Sequence, residues 1–195
     1  MDEHPKNAAV VCPGLTCSLF DEANYDLVVA VNRAAKRVPA CDLWVCLDAW
    51  TFSWVCGHGW DSGRGTTLVC GDQTFGIVRR KYPHLMEISE HFDHLDHRRP
   101  DVWRPTANWQ RFGVLVAIVE AIRAGASRVD LWGVDWTGSA DWDGFEHKKQ
   151  HRYESRFAKE RKIIGELSRE VGERGVVVRR IETYWSDCRE LLEKP

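Results

Sequence analysis

The sequence predicts a single α/β domain of Rossmann-like build, three layers around a mostly parallel central sheet, and three features predict it. Short continuous apolar runs each stop at a turn or on a polar residue, as strands buried on both faces do. A long amphipathic stretch passes through Ala124-Gly125-Ala126 straight into another such run, the order of a parallel crossover unit. No internal repeat, low-complexity tract or linker interrupts residues 1–195, a length that suits one domain with a substantial core.

In chain order, residues 8–12 form an apolar run ended by Pro13-Gly14, and this is the first central strand. Residues 27–31 repeat the pattern and stop at Asn32; residues 43–47 stop at Asp48. Residues 66–70 make a fourth strand, with Asp72 placed to cap a helix that runs through Tyr82 and breaks at Pro83. Residues 85–88 read as a short fifth strand. The polar, proline-punctuated stretch that follows reads as a long surface loop, a lid over 91–107. Residues 108–124 carry apolar side chains at helical spacing before the Gly125 stop, and residues 128–135 make a strand that ends on Asp135 beside the end of the first. A charged amphipathic helix over 151–171, a strand at 176–178 and a short helix over 186–192 complete the chain.

Bulk properties remove several function classes. The chain has a formal charge of -2 and a pI near 6.4, so it lacks the basic excess of a dedicated nucleic-acid binder. The amino terminus has no signal-peptide pattern and no stretch approaches the ~20 apolar residues of a membrane span, so a cytoplasmic protein is expected. The 7 cysteines lack paired Cys-x-x-Cys knuckles, and several lie in strand-like runs; they are expected to be reduced, buried thiols. Of the 10 tryptophans, Trp50, Trp54, Trp60, Trp109, Trp136 and Trp142 lie near loops, where an indole caps a core edge or stacks on a sugar or base.

In an open parallel sheet, ligands bind outside the carboxyl ends of the strands, where strand order reverses. That rule selects the turn Pro13-Gly14-Leu15-Thr16, then Asn32 with Arg33, Asp48, and Gly133 with Asp135. Gly14 would let backbone approach a phosphate or sugar closely, and Asn32 presents both donors and acceptors to a ribose or base. Either Asn32 or Asp48 also has a purely structural job open to it, tying down a loop or capping a helix. Neither Gly-x-Gly-x-x-Gly nor a P-loop pattern occurs, so ordinary dinucleotide and P-loop readings lack sequence support. His91, His94 and His97 are the candidate metal ligands, although i, i+3, i+6 spacing drifts off one helical face and no metal is expected.

Val10-Val11-Cys12-Pro13-Gly14-Leu15-Thr16, Tyr25 to Asn32, Cys41 to Asp48, and Ala124 to Asp135 together resemble a superfamily. It joins the bacterial Rossmann-like sialyltransferases with the 6-hydroxymethylpterin pyrophosphokinase-like proteins of archaea. The resemblance covers most of the chain. It implies a nucleotide-binding first turn, Asn32 near the nucleotide, Thr106-Ala107-Asn108 at a helix start lining the pocket, and Asp135 at the pocket wall. The sialyltransferases carry a histidine base ahead of their late helix, where this chain has His147 and His151. The chain departs from the pattern at the first turn, with Cys12-Pro13 in place of glycines and Thr16 where Ser is common. Arg152 and Glu154 at the late helix start are candidates for holding phosphate or acceptor, although an acidic residue in a first turn is favourable without any ligand.

Three functions follow from these readings. The first is a glycosyltransferase-like enzyme that uses a nucleotide-activated donor, with His147 or His151 as general base and Asp135 beside it. The second is ATP-dependent diphosphate transfer with Mg²⁺ held by Asp48 or Asp135. The third is a non-catalytic protein that binds or sequesters a nucleotide. In each the partner is a small molecule.

Overall fold

The structure, a computed structural model, describes residues 6–38, 40–60, 65–83, 93–100, 102–136 and 150–182, the side chains of 150–153 excepted. The described strands are β1 (Lys6–Val11), β2 (Leu27–Val31), β3 (Leu43–Val45), β4 (Thr67–Cys70), β5 (Asp93–Asp96), β6 (Ala126–Trp132) and β7 (Val177–Arg180). They form one sheet in the order β5-β4-β3-β2-β1-β6-β7, and every neighbouring pair is parallel. The helices are α1 (Ala49–Gly57), α2 (Asp72–Lys81), α3 (Gly113–Arg123) and α4 (Gln150–Gly172). The fold is therefore a doubly wound, Rossmann-like α/β sheet. From β1 the strands step outward to β5; the chain then returns to β6 on the other side of β1, which puts the switch point between the ends of β1 and β6.

The central strands read as continuous apolar runs because both faces are covered. On β1, Ala8 and Val10 join one core layer with Val29, Val129 and Leu131 under α3 and α4, while Ala9 and Val11 join the other with Phe52, Val55 and Cys56 of α1. Trp44 fills the second layer, fully buried and stacked on Phe52 at 5.2 Å. The described cysteines are buried; burial pushes the Cys41, Cys56 and Cys70 thiols up to about 12 and Cys46 well above its usual range.

The structure corrects several boundaries. Gly71 rather than Asp72 is the N-cap of α2, and Asp72 supplies the acidic first turn. The predicted helix over 108–124 begins only at Gly113, after a 3₁₀ turn Trp109–Arg111 that buries Trp109. Part of the expected surface loop is an edge strand, β5, whose Asp-His-Leu-Asp sequence is too polar to announce itself; it pairs with β4 alone. The return after β5 is anchored by a buried ion cluster. Glu120 of α3, with its side chain 1% exposed, accepts two bonds from Arg99, at 3.1 and 2.8 Å, and one from Arg123 at 2.5 Å. Arg123 also donates to the carbonyls of His97 and Trp103. The strand expected at 85–88, the helix expected over 186–192, and Trp142 and Cys188 lie outside the described residues. Among the described residues no helix is long and apolar enough to cross a membrane.

Candidate functional site

At the switch point, the β1 turn and the β6 turn are clasped together. Cys12 N–H donates to the Trp132 carbonyl at 2.8 Å and Gly14 N–H to the Gly133 carbonyl at 3.0 Å. Thr16 closes the clasp: its hydroxyl donates to Asp135 Oδ1 at 2.6 Å, its N–H donates to Asp135 Oδ2 at 3.1 Å, and its Oγ1 accepts from Gly133 N–H at 2.7 Å. Glycine is required on both sides. A Cβ on Gly14 would lie 2.4 Å from the Gly133 carbonyl oxygen, and one on Gly133, whose φ is +66, would lie 2.0 Å from that of Cys12. The close approach that Gly14 permits is thus onto the β6 backbone. Pro13, Gly14, Leu15, Thr16, Gly133 and Asp135 come together as read from the sequence, but Thr16 engages both carboxylate oxygens of Asp135.

One strand over, the end of β2 is built differently. Asn32 follows Val31 with φ 53, a left-handed conformation that Asn tolerates better than most residues, and opens a 3₁₀ turn Asn32–Lys36. Its carbonyl accepts from Trp44 Nε1 at 2.9 Å. Its side-chain Oδ1 is buried and has no hydrogen-bond partner among the described residues. The start of α3 lies directly against it: a Cβ on Gly113 would sit 2.9 Å from Val31 Cγ1 and 3.8 Å from Asn32 Nδ2. Phe112, the N-cap of α3, offers no side-chain bond to the helix start, so the positive end of the helix dipole faces this corner without a capping group. Arg33 is buried one residue on, with its guanidinium 5.8 Å from the Trp54 ring.

The remaining predicted residues divide. Asp48 caps α1, accepting from Thr51 N–H at 2.7 Å and the Thr51 hydroxyl at 2.9 Å. Thr106 is a correction. Its N–H and hydroxyl donate to Glu170, at 3.0 and 2.7 Å, in the last turn of α4, and these bonds with that from Ala107 N–H outweigh burial and hold the Glu170 carboxyl below its usual range. Helices that cross back over a parallel sheet end at the amino ends of the strands; Lys6 at the start of β1 indeed donates to Ala124 at the end of α3. Thr106 therefore lies at the opposite end of the sheet from Asn32. Asn108 is exposed and begins the short rise to α3. His147 lies outside the described residues; His151 and Arg152 stand in the first turn of α4, and Glu154 one step on is exposed.

Histidine spacing along a strand, not a helix, governs the other cluster. His94 on β5 stacks on Phe75 of α2 at 4.3 Å, whereas His97 is buried edge-on to Trp109 at 6.0 Å, and burial lowers its pKa. The two rings pack on different neighbours, and His91 lies outside the described residues. Among the described residues no group of His, Cys, Asp and Glu could hold a metal ion.

Sequence reasoning missed Glu160 of α4. Trp136, with φ 51, donates from Nε1 to Glu160 at 3.0 Å, and the guanidiniums of Arg161 and Arg180 approach its ring at 5.3 and 4.8 Å. Burial raises the Glu160 carboxyl against the opposing effects of Trp136 and Arg156. Arg156 in turn lies 5.6 Å from the ring of Phe112 at the start of α3. A strand-end tryptophan followed by an amphipathic helix was visible, but not which helix carboxylate it meets.

The fold defines a doubly wound α/β protein whose switch point lies between the ends of β1 and β6. No family model and no curated protein matches the chain. One similar solved structure is that of the sialyltransferase CstII from Campylobacter jejuni in complex with a substrate analogue, CMP-3FNeuAc. It is 10% identical, the match covers 90% of this chain and 80% of that one, and the TM-score is 0.48.

Proposed function

We propose that the protein is a transferase that holds a nucleotide-activated donor, most concretely a nucleotide sugar, in the corner between Asn32 and the start of α3. The observation that carries this reading is the buried, unpaired Oδ1 of Asn32 beside a helix start with no side-chain cap, at the carboxyl end of the sheet. A ligand donor would satisfy this buried acceptor, and a ribose hydroxyl or exocyclic amine supplies one. The adjacent helix start favours the phosphate of the same ligand.

In the reaction proposed, an acceptor hydroxyl attacks the anomeric carbon of the donor. A new C–O bond forms as the bond from that carbon to the phosphate oxygen breaks; the nucleotide leaves with the electron pair, and the hydroxyl proton passes to His147 or His151. The ATP-dependent alternative asks Asp48 or Asp135 to hold Mg²⁺. Both carboxylates already accept pairs of bonds from threonines, Asp48 from Thr51 and Asp135 from Thr16, which favours the glycosyl reading.

A thermal-shift panel of CMP, UMP, AMP and GMP, their triphosphates and common nucleotide sugars, with and without Mg²⁺, tests the reading. A ligand bound only by the native state raises Tm, so a selective, Mg²⁺-independent shift for one nucleotide and its sugar conjugate is expected. No shift with any of them in a folded sample removes the transferase reading. Once a donor is known, turnover lost in either His147→Ala or His151→Ala identifies the base, and turnover intact in both rejects a histidine there.

A further inference from the structure

Arg156 and Glu160 stand four residues apart on α4, the spacing at which opposite charges on a helix meet. They form no ion pair. Glu160 turns to Trp136 at the end of β6, and the Arg156 guanidinium lies instead 5.6 Å from the ring of Phe112. Arg156 is exposed and makes no hydrogen bond or ion pair with any described residue. A ring contact uses none of the five N–H donors of a guanidinium, so these donors are available to a ligand.

The charge beside Phe112 has the wrong sign for a helix start. Phe112 is the N-cap of α3, which has no side-chain cap and no acidic residue in its first turn. A helix start carries positive partial charge; an anion stabilises it and a neighbouring cation does not. The carboxylates of the surrounding strand ends and of α4 are engaged elsewhere, Asp135 by Thr16, Asp48 by Thr51 and Glu160 by Trp136. Asn32 approaches the same helix start one residue on, its Nδ2 3.8 Å from where a Gly113 Cβ would lie. Because α4 crosses back over the sheet from the β6 end, its second turn, with Arg156, stands at the same end as Asn32.

We propose that Arg156 is the phosphate-binding residue of the donor site, holding the nucleotide phosphate by charge-assisted hydrogen bonds against the start of α3. This rests on the nucleotide-activated donor reading and assigns the group that stabilises its leaving phosphate. When the bond from the anomeric carbon breaks, the phosphate oxygen keeps the electron pair and gains a negative charge. The guanidinium pairs with that charge without exchanging a proton, as a fixed cation does best at the atom where charge develops. An arginine in this place gives the metal-independent transfer a counter-ion for its leaving group, while Asp48 and Asp135 remain on their threonines.

The test is titration calorimetry on the full chain with the nucleotide that gives the largest thermal shift, supported by saturation-transfer NMR with its parent nucleoside, which lacks the phosphate. Arg156→Gln is expected to bind the nucleotide at least tenfold more weakly than wild type. Arg156→Lys, which keeps the charge and loses the fork, is expected to fall between them. Nucleoside binding and Tm are expected to be unchanged in both variants. Nucleotide affinity within twofold of wild type in Arg156→Gln overturns the assignment and leaves the donor reading standing. A loss of nucleoside binding as large as the loss of nucleotide binding also overturns it, because the side chain then acts on the base, the sugar or the shape of the site. Absence of nucleotide binding in wild type fails the donor reading itself, and the inference falls with it.

Discussion

The ends of β1 and β6 and the end of β2 lie side by side, and they treat polar groups in opposite ways. In the clasp the strand-end groups meet one another: Thr16 engages both oxygens of Asp135 and the Gly133 N–H, and the glycines bring the two backbones into contact. At the Asn32 corner a buried oxygen meets nothing among the described residues, and the helix beside it lacks a side-chain cap. Residues of similar polarity in equivalent places thus divide into those already bonded to one another and one whose side-chain oxygen has no partner among the described residues. Position after an apolar run selects both kinds; hydrogen-bond accounting separates them.

Breaking the clasp gives the largest effect. Gly133→Ala forces a Cβ onto the Cys12 carbonyl in a left-handed backbone, at a cost of about 3–5 kcal/mol, and Tm falls by roughly 10 °C or more in a calorimetric scan. If instead Tm holds, the β1–β6 contact is not the rigid support described. Thr16→Val is the milder cut, because it keeps the shape and removes only the hydroxyl. It leaves the Gly133 N–H and one Asp135 oxygen without that partner and costs about 2 kcal/mol in denaturant unfolding. A loss below ~0.5 kcal/mol would mean that water serves these groups equally well and that Thr16 is free to meet a ligand.

The sequence-level reading succeeded where a local rule had a single outcome. β2 was read with its observed limits, since an apolar run buried on both faces has little choice, and the reversal at β1 and β6 followed from helix, short turn and strand in succession. β6 stops at Trp132 rather than at Asp135 because Gly133 turns left-handed to meet β1, a long-range requirement that no neighbouring residue announces. Asp48 had two jobs open to it, and only the bonds from Thr51 identify it as a cap. Thr106 was placed with the nucleotide by the resemblance, which puts Thr106-Ala107-Asn108 at a helix start lining the pocket. The 3₁₀ turn between them, and a climb from one end of the sheet to the other, are invisible without the Glu170 contact. Glu160 and the β5 edge were missed for one reason: a charged residue looks solvated until the element covering it is known.

The central claim is that the Asn32 amide, not the clasp, receives the ligand. Glycine adopts the left-handed conformation at position 32 without strain and keeps the carbonyl that accepts from Trp44, so Asn32→Gly removes the amide alone. Titration calorimetry of wild type and Asn32→Gly with the nucleotide selected by the thermal-shift panel is the most direct measurement. Affinity reduced at least tenfold in the variant, with Tm within a degree or two of wild type, is the result predicted. Equal affinity in the two proteins would contradict the account and move the ligand away from the β2 corner.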